Sequence, residues 1–178
     1  MTYNIIFSGF GGQGILSAGK LIAQAAMLDG KDVSWLPSYG PEKRGGTSNC
    51  HVVVSDEPVG SPYITSPNLV IAMSKQAFDK YEELIAEKGI MIYDSNAVSS
   101  EPLRNDIKYY KMPATQIAVE AGFPKLANVL FLGKLMGVIG LVKKEYIIEA
   151  LKEFLPEGKH YLIPDEMKLL QMGMEYGA

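Results

Sequence analysis

The chain has 178 residues, 47% of them apolar and 21% charged, the proportions of a globular domain with a core of its own. A net charge of −3 without any run of Lys and Arg argues against nucleic acid as a partner. The longest apolar stretch, 129–142, is interrupted by Lys134 and three glycines, which argues against a membrane span, and no signal-peptide pattern opens the chain. The single cysteine, Cys50, excludes an intrachain disulfide and suits a reducing cytoplasm. With only His51 and His160 beside it, this chain alone is not expected to hold an iron–sulfur cluster or a structural zinc.

Residues 4–8 read as a short buried parallel strand, ended by the glycine-rich stretch Gly9-Phe10-Gly11-Gly12-Gln13-Gly14. Ile15 to Leu28 follows with apolar residues at helical spacing, stopped by Gly30. A second strand, 33–36, is closed by Pro37. Ser38 to Thr47 is a loop rich in glycine and proline that carries the adjacent cations Lys43 and Arg44. A third strand occupies 48–55, and 56–68 is a long connection of the kind that is often functional. Then come a strand at 69–73, an amphipathic helix at 75–88, a strand at 90–93 ending in Asp94-Ser95-Asn96, and an edge strand at 107–111. Helices are expected at 115–121, 126–139, 145–154 and 166–174. Gly133, Gly137 and Gly140 suit a helix face pressed against a neighbour. The alternation of strand and helix predicts one α/β domain over 1–178, a three-layer α/β/α, Rossmann-like arrangement around a mainly parallel sheet.

Ligands of such sheets gather at the carboxyl ends of the strands, and the stretches 9–14 and 40–46 both follow strand ends there. A strand, a glycine turn and a helix start offer free N–H groups to an anion, although glycines at these places would equally serve tight packing. NAD is disfavoured, because the second strand ends in Trp35-Leu36-Pro37-Ser38 with no acidic residue for a ribose hydroxyl. NADP stays open, since Lys43 or Arg44 would suit a 2′-phosphate. Gly14 to Lys20 imitates a P-loop, but Leu21 stands where a Ser or Thr should meet magnesium and the segment lies inside a helix. Cys50 and His51 are neighbours on a strand, so their side chains point to opposite faces and form no nucleophile–base pair. The residues thus describe a ligand-binding domain with no visible catalytic set.

The two motifs Gly9 to Gly14 and Tyr39 to Gly46, followed by Val52 to Ser55 and Ser61-Pro62, resemble the gamma subunit of the 2-oxoacid:ferredoxin (acceptor) oxidoreductases. The resemblance runs over essentially the whole chain and implies the fold of the gamma domain of pyruvate:ferredoxin oxidoreductase. It implies a cytoplasmic subunit, inactive alone, of an enzyme of anaerobic metabolism that decarboxylates a 2-oxoacid oxidatively to its acyl-coenzyme A. Partners would be alpha and beta subunits, with or without a delta subunit, and ferredoxin through the complex. Thiamine diphosphate, magnesium and iron–sulfur clusters would sit on those partners. Coenzyme A, as co-substrate, would be met here by Gly11, Gly12, Gln13 and Gly14 and, at its phosphates, by Lys43 and Arg44. Two alternatives remain: a stand-alone NADP- or flavin-binding reductase, and a purely structural interaction subunit.

Overall fold

The structure is a computed structural model that describes residues 1–39 and 46–177. Nine-residue β1 (Thr2–Phe10) runs through the centre of a six-stranded sheet of order β2-β3-β1-β4-β5-β6. The other strands are β2 (Asp32–Tyr39), β3 (Thr47–Ser55), β4 (Leu69–Ala72), β5 (Ile90–Asp94) and β6 (Lys108–Met112). β1, β4, β5 and β6 pair in parallel. β3 is antiparallel to both β1 and β2, which leaves β2 running in the common direction. The sheet is therefore mainly parallel, with one reversed strand. Its cause is the short 40–46 connection, because returning a strand in parallel takes a crossover of roughly a dozen residues or more.

α1 (Ile15–Leu28) lies on β3, on the face of the sheet that carries Ile5, Phe7, Val52 and Val54. Gly19 makes that approach possible: a Cβ there would stand 2.3 Å from Cys50 Sγ. The helix stops where expected, with Gly30 at φ 79° and the N–H groups of Gly30 and Lys31 bonded to the carbonyls of Met27 and Ala26. The same face carries α3 (Ala114–Glu120), α4 (Ala127–Ile139), α5 (Lys144–Phe154) and α6 (Ile163–Glu175). The opposite face carries α2 (Lys75–Leu84), whose Ala77, Phe78 and Tyr81 pack with Ile6, Val70 and Met91.

Several boundaries differ from the sequence expectation. β2 continues through Pro37, which an edge strand tolerates because the N–H that proline lacks is not needed on the open side of the sheet. α2 ends at Leu84 and not at 88, because Arg104 donates to the carbonyls of Glu82 and Ile85 and so finishes the helix. A 3₁₀ turn at Glu157–Leu162 leads into α6, which begins ahead of Glu166 with Pro164 in its first turn.

α4 and α6 touch backbone to backbone. A Cβ on Gly133 would lie 2.0 Å from the Leu170 carbonyl oxygen, and one on Gly173 would lie 2.1 Å from that of Leu130. Lys134, buried beside them, donates to the Tyr176 carbonyl at 2.6 Å and holds the chain end onto α4. Since no flexible side chain can yield there, Gly133→Ala is expected to destabilise the fold by about 3 kcal/mol or more in a denaturant titration. A near-neutral change would show that the helices can slide apart.

Candidate functional site

The carboxyl end of β1 is where the chain departs to opposite sides of the sheet, with α1 on one face and α2 on the other. Such a switch point opens a crevice by construction. The loop that fills it is held by one side chain. Gln13 accepts from the Phe10 N–H through Oε1 at 2.7 Å and donates from Nε2 to the Met73 carbonyl at 3.0 Å. It ties the end of β1, the start of α1 and the residue beyond β4 together. Its side-chain oxygen and one amide hydrogen are thus engaged within the chain, and its backbone N–H donates to the Phe10 carbonyl at 3.3 Å.

Gly9 is glycine for want of space, since a Cβ would stand 2.4 Å from Gln13 Oε1. Gly12 and Gly14 are glycine for conformation, at φ 94° and 74°. Among the described residues nothing lies within 4 Å of where a Gly12 side chain would begin. Gly14 caps α1 without a side-chain hydrogen bond, and the first bond of the helix runs from Ala18 N–H to Gly14 O at 2.9 Å. The N–H groups of Ile15, Leu16 and Ser17 precede it and have no acceptor inside the helix. No acidic residue in the first turn offsets the positive end of the helix dipole. Asn128, at the start of α4, backs this turn: Nδ2 donates to Gly14 O at 3.3 Å, while buried Oδ1 has no partner among the described residues.

Gly46 meets this loop directly, its carbonyl accepting from the Gly11 N–H at 3.0 Å. The two glycine-rich stretches thus converge, and the Gly11 amide is used in joining them. Lys43 and Arg44 lie outside the described residues, inside the connection whose far end this bond fixes.

The remaining sequence candidates have structural duties. Lys20 lies over the Phe154 ring at 5.8 Å on α1, so the P-loop likeness has no loop behind it. Asp94 is fully buried and accepts from the Asn96 N–H and the Thr115 hydroxyl, while Asn96 accepts from the Gln116 N–H, so both cap the start of α3. His160 Nε2 approaches the carbonyls of Lys152 and Leu155 at the end of α5. Cys50 is sealed under α1, with Sγ 3.7 Å from the Ile15 carbonyl. Burial pushes its thiol up to about 12. His51 points to the other face, as strand alternation requires. Among the described residues no group of three or more His, Cys, Asp or Glu could hold a metal ion, and no helix is long and apolar enough to cross a membrane.

The fold is an α/β domain with a mainly parallel sheet and a switch point beside the start of α1. Comparison with known proteins gives the family. Residues 4–176 match the model of the pyruvate ferredoxin/flavodoxin oxidoreductase family. The chain is 41% identical over 161 residues to the 2-oxoglutarate synthase subunit KorC of Methanocaldococcus jannaschii, covering 89% of this chain and 86% of that one. It is 40% identical over 171 residues to the ketoisovalerate oxidoreductase subunit VorA of Methanothermobacter thermautotrophicus, covering 95% of this chain but only 35% of that longer one. Among solved structures, the gamma subunit of a keto/oxoacid ferredoxin oxidoreductase from Geobacter sulfurreducens superposes with a TM-score of 0.85 at 34% identity, over 98% of this chain and 95% of that one. A 2-oxoglutarate:ferredoxin oxidoreductase from Magnetococcus marinus, solved with 2-oxoglutarate, coenzyme A and succinyl-CoA bound, shares the fold over 97% of this chain and 30% of that one, with a TM-score of 0.85 at 22% identity. This chain belongs to the pyruvate ferredoxin/flavodoxin oxidoreductase family.

The state of Cys50 gives a direct check. Between its ordinary value of 9.0 and about 12, the unfolded thiol ionises while the folded one stays protonated. The thiol's contribution to stability therefore falls as pH rises through that window. At pH near 9 the folded chain is expected to resist iodoacetamide and the urea-unfolded chain to react within minutes. Equal labelling of both would show that α1 lifts readily from β3.

Proposed function

We propose that this chain is the gamma subunit of a multi-subunit 2-oxoacid:ferredoxin oxidoreductase, which converts a 2-oxoacid oxidatively to its acyl-coenzyme A. Its part is to build one wall of the coenzyme A site and to hold the complex together. The observation that carries this reading is the Gly11–Gly46 hydrogen bond, which fixes the end of the cation-bearing connection beside the start of α1. Coenzyme A is a co-substrate with several phosphates. The backbone of Gly12 and Gly14 and the first N–H groups of α1 would meet one phosphate, each such contact being worth roughly 0.3 to 2 kcal/mol. Lys43 and Arg44 would meet the others, Arg as a planar fork and Lys as a compact charge.

Decarboxylation and electron transfer belong to other chains in this proposal. Thiamine diphosphate and magnesium would supply the carbanion chemistry, and iron–sulfur clusters the path to ferredoxin, on alpha, beta and, where present, delta subunits. Cytoplasmic location follows from those partners. KorC and the Geobacter gamma subunit are matched over nearly their full lengths, whereas VorA carries the same unit within a longer chain.

Replacing Lys43 and Arg44 together by Ala in the assembled enzyme should raise KM for coenzyme A about tenfold or more, with kcat and the KM for the 2-oxoacid little changed. Steady-state kinetics with each substrate varied in turn checks this. An unchanged coenzyme A dependence would assign the two cations to contacts between subunits.

A further inference from the structure

The two faces of the sheet are covered unequally. One carries five helices, whereas the other carries α2, and over β2 and β3 its cover comes from the 56–68 connection through Ile64. Between that connection, α2 and the strands lies a cleft of about 460 Å³, the size of a small-molecule site. Leu36, Ser38, Asn49, His51, Tyr63 and Lys80 line it. Among the described residues, Lys80 is the one charged group that lines it and no carboxylate faces it.

His51 is the unusual member. It is 7% exposed, and among the described residues only one of its ring nitrogens has a partner. Nδ1 accepts from the Ile64 N–H at 2.9 Å, which places the ring proton on Nε2. The Tyr63 ring, stacked at 5.1 Å and 27°, fixes the imidazole from one side. Burial, with the Lys80 charge nearby, lowers its pKa and keeps it neutral. Nε2–H therefore has a fixed direction and, among the described residues, no acceptor. That donor opens onto the cleft, where water or a ligand can accept from it.

The chemistry of the lining selects the occupant. One ammonium and one neutral imidazole donor balance a single negative charge, which suits a carboxylate and leaves a doubly charged phosphate under-compensated. Ile6, Leu36 and Pro37 supply an apolar wall for a short carbon body. We infer that this cleft is a second ligand site, separate from the glycine loop, that takes a small organic carboxylate between His51 Nε2–H and the Lys80 ammonium. Occupancy would join β3, α2 and the 56–68 connection, which in the free chain meet on this face through His51 and Ile64.

The chain has two histidines, so proton NMR of their ring C–H signals tests the site on the full chain, with His160→Gln assigning the pair. Isobutyrate should shift the His51 signals saturably in the millimolar range or below and leave those of His160 in place. Neutral isobutyramide should do neither. Lys80 is exposed, so Lys80→Ala keeps the fold and should raise the half-saturating concentration about tenfold. The inference is overturned if isobutyrate leaves His51 unmoved or moves both histidines without saturation. Tighter saturation by inorganic phosphate would overturn the carboxylate class. A His51 response to coenzyme A alone would make the cleft part of the glycine-loop site.

Discussion

The Gln13 side chain is the interaction on which the rest of the molecule depends. A central strand that passes directly into a helix must turn within a few residues, and the turn leaves backbone groups without partners. Gln13 takes the Phe10 N–H and the Met73 carbonyl, so the turn is fixed to β1 and to the exit of β4 at once. With the loop so held, Gly12 and Gly14 can keep positive φ and leave the start of α1 open. Without that tie, the glycines would be free to collapse onto the sheet edge and the helix amides would have no fixed direction.

The second constraint is the reversal of β3. Because the 40–46 connection is short, it brings the chain straight back beside β1, and Gly46 closes onto Gly11. The same reversal sets His51 and Cys50 on opposite faces of a strand next to the centre of the sheet. Cys50 packs under Gly19, and His51 faces a cleft with a ring N–H that has no acceptor among the described residues.

Much of this was legible from residues alone. Apolar periodicity located every strand and the main helices, and Gly30 and Gly133 announced a helix stop and a close crossing for reasons the structure repeats. What escaped depended on partners distant in sequence. The reversed direction of β3 needs the pairing register. The early end of α2 needs Arg104, nearly twenty residues on. The inward role of Gln13 needs Met73, and the half-satisfied His51 needs Ile64. The capping role of Asp94 needs Thr115, twenty-one residues on. The site itself was read as two converging loops. That convergence is found at Gly11 and Gly46, while Lys43 and Arg44 lie outside the described residues.

The proposed function has this chain hold a substrate that other chains transform. The proposal thus stands or falls on where coenzyme A touches this subunit. Hydrogen exchange of the assembled oxidoreductase, with and without coenzyme A, measures that directly. The account predicts slowed exchange at the amides of residues 12–17 and across 40–46. Unchanged exchange at both segments, with protection confined to other subunits, would contradict it.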